Sequence, residues 1–203
     1  MSAGKKAGDC PVFITPVRQS GIAAVEFALL AIFFLTLVFG IMELARVVYL
    51  FNTLQEVTRR AAAMAANSGF GESSINRIRR QALFRDVNDR LILADFVTPD
   101  HLKIEYLSVS RDGATSTLAM QPAAPLPSTP AQNYLNCLTT PYGSGCVKLV
   151  RVSVCQPGKA DCQAVPYQML FPLGNFSGLT LPRSITIAPA QTMGRKSGDL
   201  PEL

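Results

Sequence analysis

Few residues in this chain have the type and spacing to do chemistry. The first is Glu26, a carboxylate set inside the run IAAVEFALLAIFFLTLVFGIM. A charge in hydrocarbon costs about 2.5 to 3.5 kcal/mol on insertion-derived scales, so such an acid needs a partner or a way to reach water. The only histidine, His101, follows Asp100 at an expected strand start, with no Cys-His, Ser-His-Asp or metal-ligand grouping around it, and reads as structural. Gly143-Ser144-Gly145 has part of the spacing of a nucleophile elbow but lacks the outer glycine and the strand-to-helix setting, so it reads as a turn with glycine supplying unusual backbone angles. No catalytic residue, metal site, cofactor or small-molecule substrate is expected.

The cysteines carry a different chemistry. Cys137, Cys146, Cys155 and Cys162 follow a C-x8-C-x8-C-x6-C pattern without the C-x2-4-C knuckles of structural zinc sites. An even set in short neighbourhoods suits disulfides in an oxidising compartment. Neighbour pairing, one of three connectivities, would close one loop around Pro141-Tyr142-Gly143 and another around Pro157-Gly158.

The elements that must position these residues begin with the apolar run. Ile22 to Met42 carries no charge but Glu26, and at 1.5 Å per residue it extends about 31 Å, the thickness of a hydrocarbon core. A cleaved secretory signal would have a shorter core and a small-x-small site, whereas GIMELAR follows here. Residues 1–21 are polar and basic and read as an unstructured cytoplasmic leader, residues 22–42 as a transmembrane helix. Lys5, Lys6 and Arg18 before the span are balanced by Arg46, Arg59 and Arg60 after it, so charge does not set the orientation. The cysteines do: Cys10 precedes the span and the other four follow it, which puts the C-terminal part outside the cytoplasm.

Beyond the span, Gly40, Leu44, Val47, Phe51, Leu54, Thr58, Ala61 and Ala65 continue a helical seam through residues 43–68, with Glu56 and Arg60 paired at i,i+4 on its polar side. Asn67-Ser68-Gly69 supplies the stop, with Gly69 suited to a left-handed position. A second helix is expected from about Ser73 to Leu93. After Pro99 the period changes to two: Leu102, Ile104 and Tyr106, then Val147, Leu149, Arg151 and Ser153, then Ile185 to Ile187, read as strands with one buried face. MQPAAPLPSTPAQN, residues 120–133, reads as an extended surface loop. The fold class is α+β, a long N-terminal helix and a small antiparallel sheet within residues 69–203.

The formal net charge of +5 is spread over the chain. Its densest cluster, Arg77, Arg79 and Arg80, has no interleaved aromatics, which argues against nucleic acid and for a solvated helix face or a contact with acidic lipid or protein. Glu43 and Arg46 sit three apart at the outer end of the span and read as snorkelling groups or a subunit contact. Gly40 could let another helix approach.

With these residues in view, GIAAVEFALLAIFFLTLVFGIMELARVVY resembles the start of the TadE-like pseudopilins (TadE and TadF) of the tight-adherence, or Flp, pilus system, through the blocks AAVEFAL and GIMELAR and over roughly residues 18–66. Gly21 before the apolar run and Glu26 at its fifth position also resemble the processing site of type IV pilin precursors. The resemblance implies a pilin-like fold and cleavage between Gly21 and Ile22 by a prepilin peptidase, with glycine leaving the bond unobstructed and easily unwound. It implies assembly through Glu26 and its neighbour Phe27, and helix packing through Gly40, Glu43 and Arg46. Cleavage would create an amine at Ile22 with a reference pKa of about 7.7 to 8.0, a partner for Glu26 of a neighbouring subunit. Opposite charges 4 Å apart attract by about 4 kcal/mol at an effective dielectric of 20, before desolvation.

The expectation is a single-pass bacterial inner-membrane protein with a cytoplasmic N-terminus and a periplasmic disulfide-bearing domain. It would act without catalysis as a minor pilin or pseudopilin, in contact with other pilins and the Flp assembly machinery. The alternative is an unprocessed membrane-anchored periplasmic binding module or assembly scaffold. A membrane-tethered hydrolase lacks a triad.

Overall fold

A single helix, α1 (Ser20–Ala66), carries the apolar run and its continuation without a break in a computed structural model that describes residues 20–83, 91, 93–159, 161–170 and 178–190. The leader before Ser20, with Cys10, and residues 84–90 and 92 of the expected second helix lie outside the described residues. The chain forms two units, Met1–Ile41 and Met42–Leu203. In the first, the described residues are helical, and Phe27, Leu30, Phe33 and Phe34 are exposed. Gly21–Ala66 is long and apolar enough to cross a membrane.

In the second unit α1 changes character. Leu50, Leu54, Val57, Thr58, Ala61, Ala62 and Ala65 are fully buried. They share one core with Leu102, Tyr106, Val150, Val152 and Val154 of the sheet. Burial of each large side chain contributes about 1.5 to 3 kcal/mol. Of the expected seam, Leu54, Thr58, Ala61 and Ala65 are buried, Val47 and Phe51 pack partly buried against the core, and Leu44 is 64% exposed. Its one polar member, Thr58, hydrogen-bonds its own helix at Gln55 O (2.9 Å) and meets Thr186 Oγ1 at 2.9 Å.

Three helix features differ from expectation. Glu56 makes its close pair with Arg59 at i,i+3 (2.8 Å), through two parallel bonds that fork geometry favours, while the expected partner Arg60 acts on it through its charge. Gly69 takes no left-handed angle; α1 ends instead on bonds from Asn67 N to Met64 O (3.2 Å) and Ser68 N to Ala65 O (3.3 Å), the tightened last turn common at helix ends. The second helix, α2 (Glu72–Ala82), stops at Ala82, where Leu83 N turns back to Arg80 O and Gln81 O. Leu91 is then no helical residue but half of an isolated bridge with Ala94.

The sheet is antiparallel and four-stranded, in the order β2-β1-β3-β4, from β1 (Leu102–Arg111), β2 (Leu118–Pro122), β3 (Leu149–Val154) and β4 (Ile185–Pro189). Tyr106 opposite Val150 and Leu102 opposite Val154 set the register. Strand β3 buries Val150, Val152 and Val154, so the phase of Leu149 and Arg151 is the outer one. Arg151 there pairs with Glu105 at 2.8 Å. The proline-rich stretch expected as a loop contributes the end of β2 and the start of a third helix, α3 (Pro130–Thr139). Thr129 caps it by accepting from Gln132 N (3.2 Å), and Pro130 stands in the first turn, where a missing N–H costs nothing.

Candidate functional site

The positions expected for processing and assembly stand at the start of α1. Gly21, Ile22, Glu26 and Phe27 are all helical and exposed. A side-chain carbon built on Gly21 would meet nothing within 4 Å, and the same holds at Gly40. Both glycines therefore leave open surface rather than relieve a clash. Ile22 and Glu26 are four residues apart and share a helix face.

Immediately after the span the structure builds a site that sequence reasoning did not foresee. Glu43 is the first residue past Met42 and is only 6% exposed. Its carboxylate is held by Arg46 Nη1 at 3.1 Å, by the Tyr167 hydroxyl and by Leu170 N at 3.3 Å. Arg46 in turn donates from Nε to Leu93 O (2.8 Å) and from Nη1 to Gln168 O (2.9 Å), and its guanidinium lies 5.3 Å from the centroid of the Tyr167 ring. Burial and the hydrogen bond to Glu43 push the Tyr167 hydroxyl pKa up to about 12. Glu43 and Arg46 therefore form a nearly dry, mutually satisfied pair that ties α1 to the chain near Leu93 and to residues 167–170. Within the chain their charged ends are turned inward rather than extended to water as snorkelling groups. The only advance signal was their spacing of three; Tyr167 carried none.

The cysteines pair as neighbours: Cys137 with Cys146 and Cys155 with Cys162, at Cα separations of 4.8 and 4.9 Å. The first bond ties α3 to the chain before β3, beside Asn133, whose amide donates to Val147 O (3.1 Å) and accepts from Val147 N (2.8 Å). The second closes the turn holding Gly158, whose φ of +75° is one that glycine adopts without strain.

His101 is buried in a short 3-10 turn, Pro99–His101, where Nδ1 accepts from Thr98 N at 3.1 Å. Burial lowers its pKa, which keeps the acceptor form. Its role is to cap the turn that leads into β1. Gly143-Ser144-Gly145 is a turn, and what Gly143 supplies is space: an added side-chain carbon would lie 2.9 Å from Thr140 Oγ1. Among the described residues no group of three or more His, Cys, Asp or Glu is placed to hold a metal ion.

A protein-family profile described as TadE-like protein matches residues 21–63. The match starts at Gly21 and covers both Glu26 and the Glu43–Arg46 pair. No curated protein and no solved structure matches the chain.

Proposed function

From a TadE-like segment at residues 21–63, carried on a helix able to cross a membrane, we propose that this protein is a minor pilin or pseudopilin of a Flp-type, tight-adherence pilus. In this reading it is a non-catalytic subunit of the bacterial inner membrane. A prepilin peptidase cuts between Gly21 and Ile22, and the disulfide-bearing domain stands in the periplasm. Ile22 to Met42 first anchors the chain and then packs laterally against other pilin helices. Glu26 meets the new amine of a neighbouring subunit, with Phe27 beside it, and Gly40 offers a smooth place for close helix approach.

The carrying observation is that the TadE-like match, residues 21–63, runs along nearly all of α1 and starts at the glycine that would be cut. The two cysteine pairs at bonding distance support the periplasmic side, since such bonds persist in oxidising compartments. Contacts with the pilus machinery would fall on the outer domain. Mass spectrometry of the mature N-terminus in the native host tests the reading: a chain beginning at Ile22 supports it. An intact leader favours the rival, an uncleaved periplasmic binding module or assembly scaffold.

A further inference from the structure

We propose that the domain beginning at Met42 sits directly on the lipid surface and seats Leu93 and Leu170 in the headgroup zone; this rests on reading Ile22 to Met42 as a membrane span. The apolar run ends at Met42, and the next residue, Glu43, is bound to Tyr167 and to the backbone of Leu170. At 1.5 Å per residue Arg46 lies only about 6 Å beyond Met42 along α1, and the headgroup layer on each side of a bilayer is about 5 to 8 Å thick.

The two segments held at this level both carry an exposed leucine. Arg46 Nε binds Leu93 O and Glu43 accepts from Leu170 N, which fixes both backbones beside the first turn after the span. Their side chains are 55% and 61% exposed. On α1 itself Met42, Leu44 and Val48 of the same unit are exposed as well. Leu93 moreover has a φ of +62°, a left-handed angle that favours glycine or asparagine over a branched, apolar side chain. A leucine kept there at a backbone cost has a use for its side chain.

The charges fit a lipid occupant. Glu43 and Arg46 would be costly in a medium of falling dielectric, yet they neutralise each other and spend their remaining hydrogen bonds on Tyr167, Gln168, Leu93 and Leu170. Leu93 and Leu170 are thus presented outward while the Glu43–Arg46 pair is turned inward, with Asp95 the exposed charge two residues from Leu93, an amphipathic arrangement suited to a surface that settles about 5 to 10 Å into the headgroup boundary.

The chain contains no tryptophan, so one introduced indole reports alone. Full-length Leu93→Trp, Leu170→Trp, Phe33→Trp and Leu138→Trp would be reconstituted in phosphatidylcholine–phosphatidylglycerol vesicles with and without brominated acyl chains. Leu93→Trp and Leu170→Trp should lose roughly half of their emission to the brominated lipid, as expected for a ring at the acyl boundary. Phe33→Trp, mid-span, should be quenched more strongly, and Leu138→Trp, on the exposed side of α3, should be unaffected. If Phe33→Trp is quenched while Leu93→Trp and Leu170→Trp behave like Leu138→Trp, the span stands and the lipid contact is overturned. Shielding of both from aqueous acrylamide without lipid quenching also overturns it, in favour of a protein partner. Loss of quenching at Phe33→Trp removes the span and the proposal together.

Discussion

The Tyr167 hydroxyl donates to the Glu43 carboxylate across 124 positions of sequence, and Arg46 binds both, so the first outer turn of α1 is locked to a segment near the far end of the domain. The lock is internally neutral. Removing the parts one at a time leaves different groups stranded, and the costs should rank accordingly. Tyr167→Phe takes one donor from a carboxylate that keeps Arg46 and Leu170 N, a loss of about 1 to 2 kcal/mol. Glu43→Ala strands a guanidinium that is mostly buried, at about 3 kcal/mol or more. Thermal unfolding of the full chain in detergent, followed by near-ultraviolet dichroism, should order them as wild type, Tyr167→Phe, Glu43→Ala. An unchanged midpoint for Glu43→Ala would show that the pair holds nothing together.

The same contact predicts an alkaline limit. Tyr167 titrates at about 12 in the folded chain, raised by burial and then by Glu43, against about 10 when unfolded. Folding therefore favours the protonated phenol: its contribution is whole below about pH 10 and is lost as pH rises toward 12. Wild type should lose stability across this window more steeply than Tyr167→Phe. Parallel curves for the two would remove Tyr167 as the cause. Tyr106, whose buried hydroxyl has no hydrogen-bond partner among the described residues and whose pKa is raised by burial, should contribute in both proteins and cancel.

Each disulfide closes a short loop, of sequence separation 9 for Cys137–Cys146 and 7 for Cys155–Cys162. Restricting the unfolded chain in this way contributes about 2 to 3 kcal/mol per bond. Non-reducing peptide mapping of protein from its own host should recover these two pairs. The double variant Cys137→Ser with Cys146→Ser should unfold at a lower temperature than wild type, and reductant should lower it further by breaking the remaining Cys155–Cys162 bond. Four free thiols in the native protein would sink the oxidising-compartment reading along with the bonds.

What was legible in the chain followed from strong periodicity. The 21-residue apolar run, the seam from Val47 to Ala65 and the strands around Tyr106 and Ile187 each signal one face over several turns or pleats, and each is found. Weak or conflicting local signals misled. Prolines 122, 125, 127 and 130 suggest a loop, yet Pro122 ends an edge strand and Pro130 opens a helix, two places where a missing N–H is harmless. In β3 both phases contain apolar residues, and it is packing against α1 that takes Val150 and Val152 inward, with Arg151 left to pair with Glu105 on the other face. The lock on Glu43 was invisible because Tyr167, Gln168 and Leu170 reach it through tertiary structure that no spacing encodes.

If the proposed function holds, Gly21 and Glu26 separate cutting from assembly: a peptidase would read chiefly the backbone at Gly21, whereas a partner subunit would read the carboxylate. An added side chain at position 21 meets nothing within 4 Å in the folded chain, so Gly21→Leu should leave the helix and its insertion intact. It should also stiffen the helix through the bond to be cut, since leucine is the better helix former, and full-length precursor should accumulate. Glu26→Gln should be cleaved normally, because the amide keeps the shape. It should recover roughly tenfold less of the other pilus components on co-purification, the effect of losing about 1.4 kcal/mol of pairing with the amine of Ile22. Immunoblots for precursor and mature chain read the first variant, and normal processing of Gly21→Leu would put the cut elsewhere. If Glu26→Gln is cleaved and assembles like wild type, the carboxylate is tolerated near the headgroups and pairs with nothing.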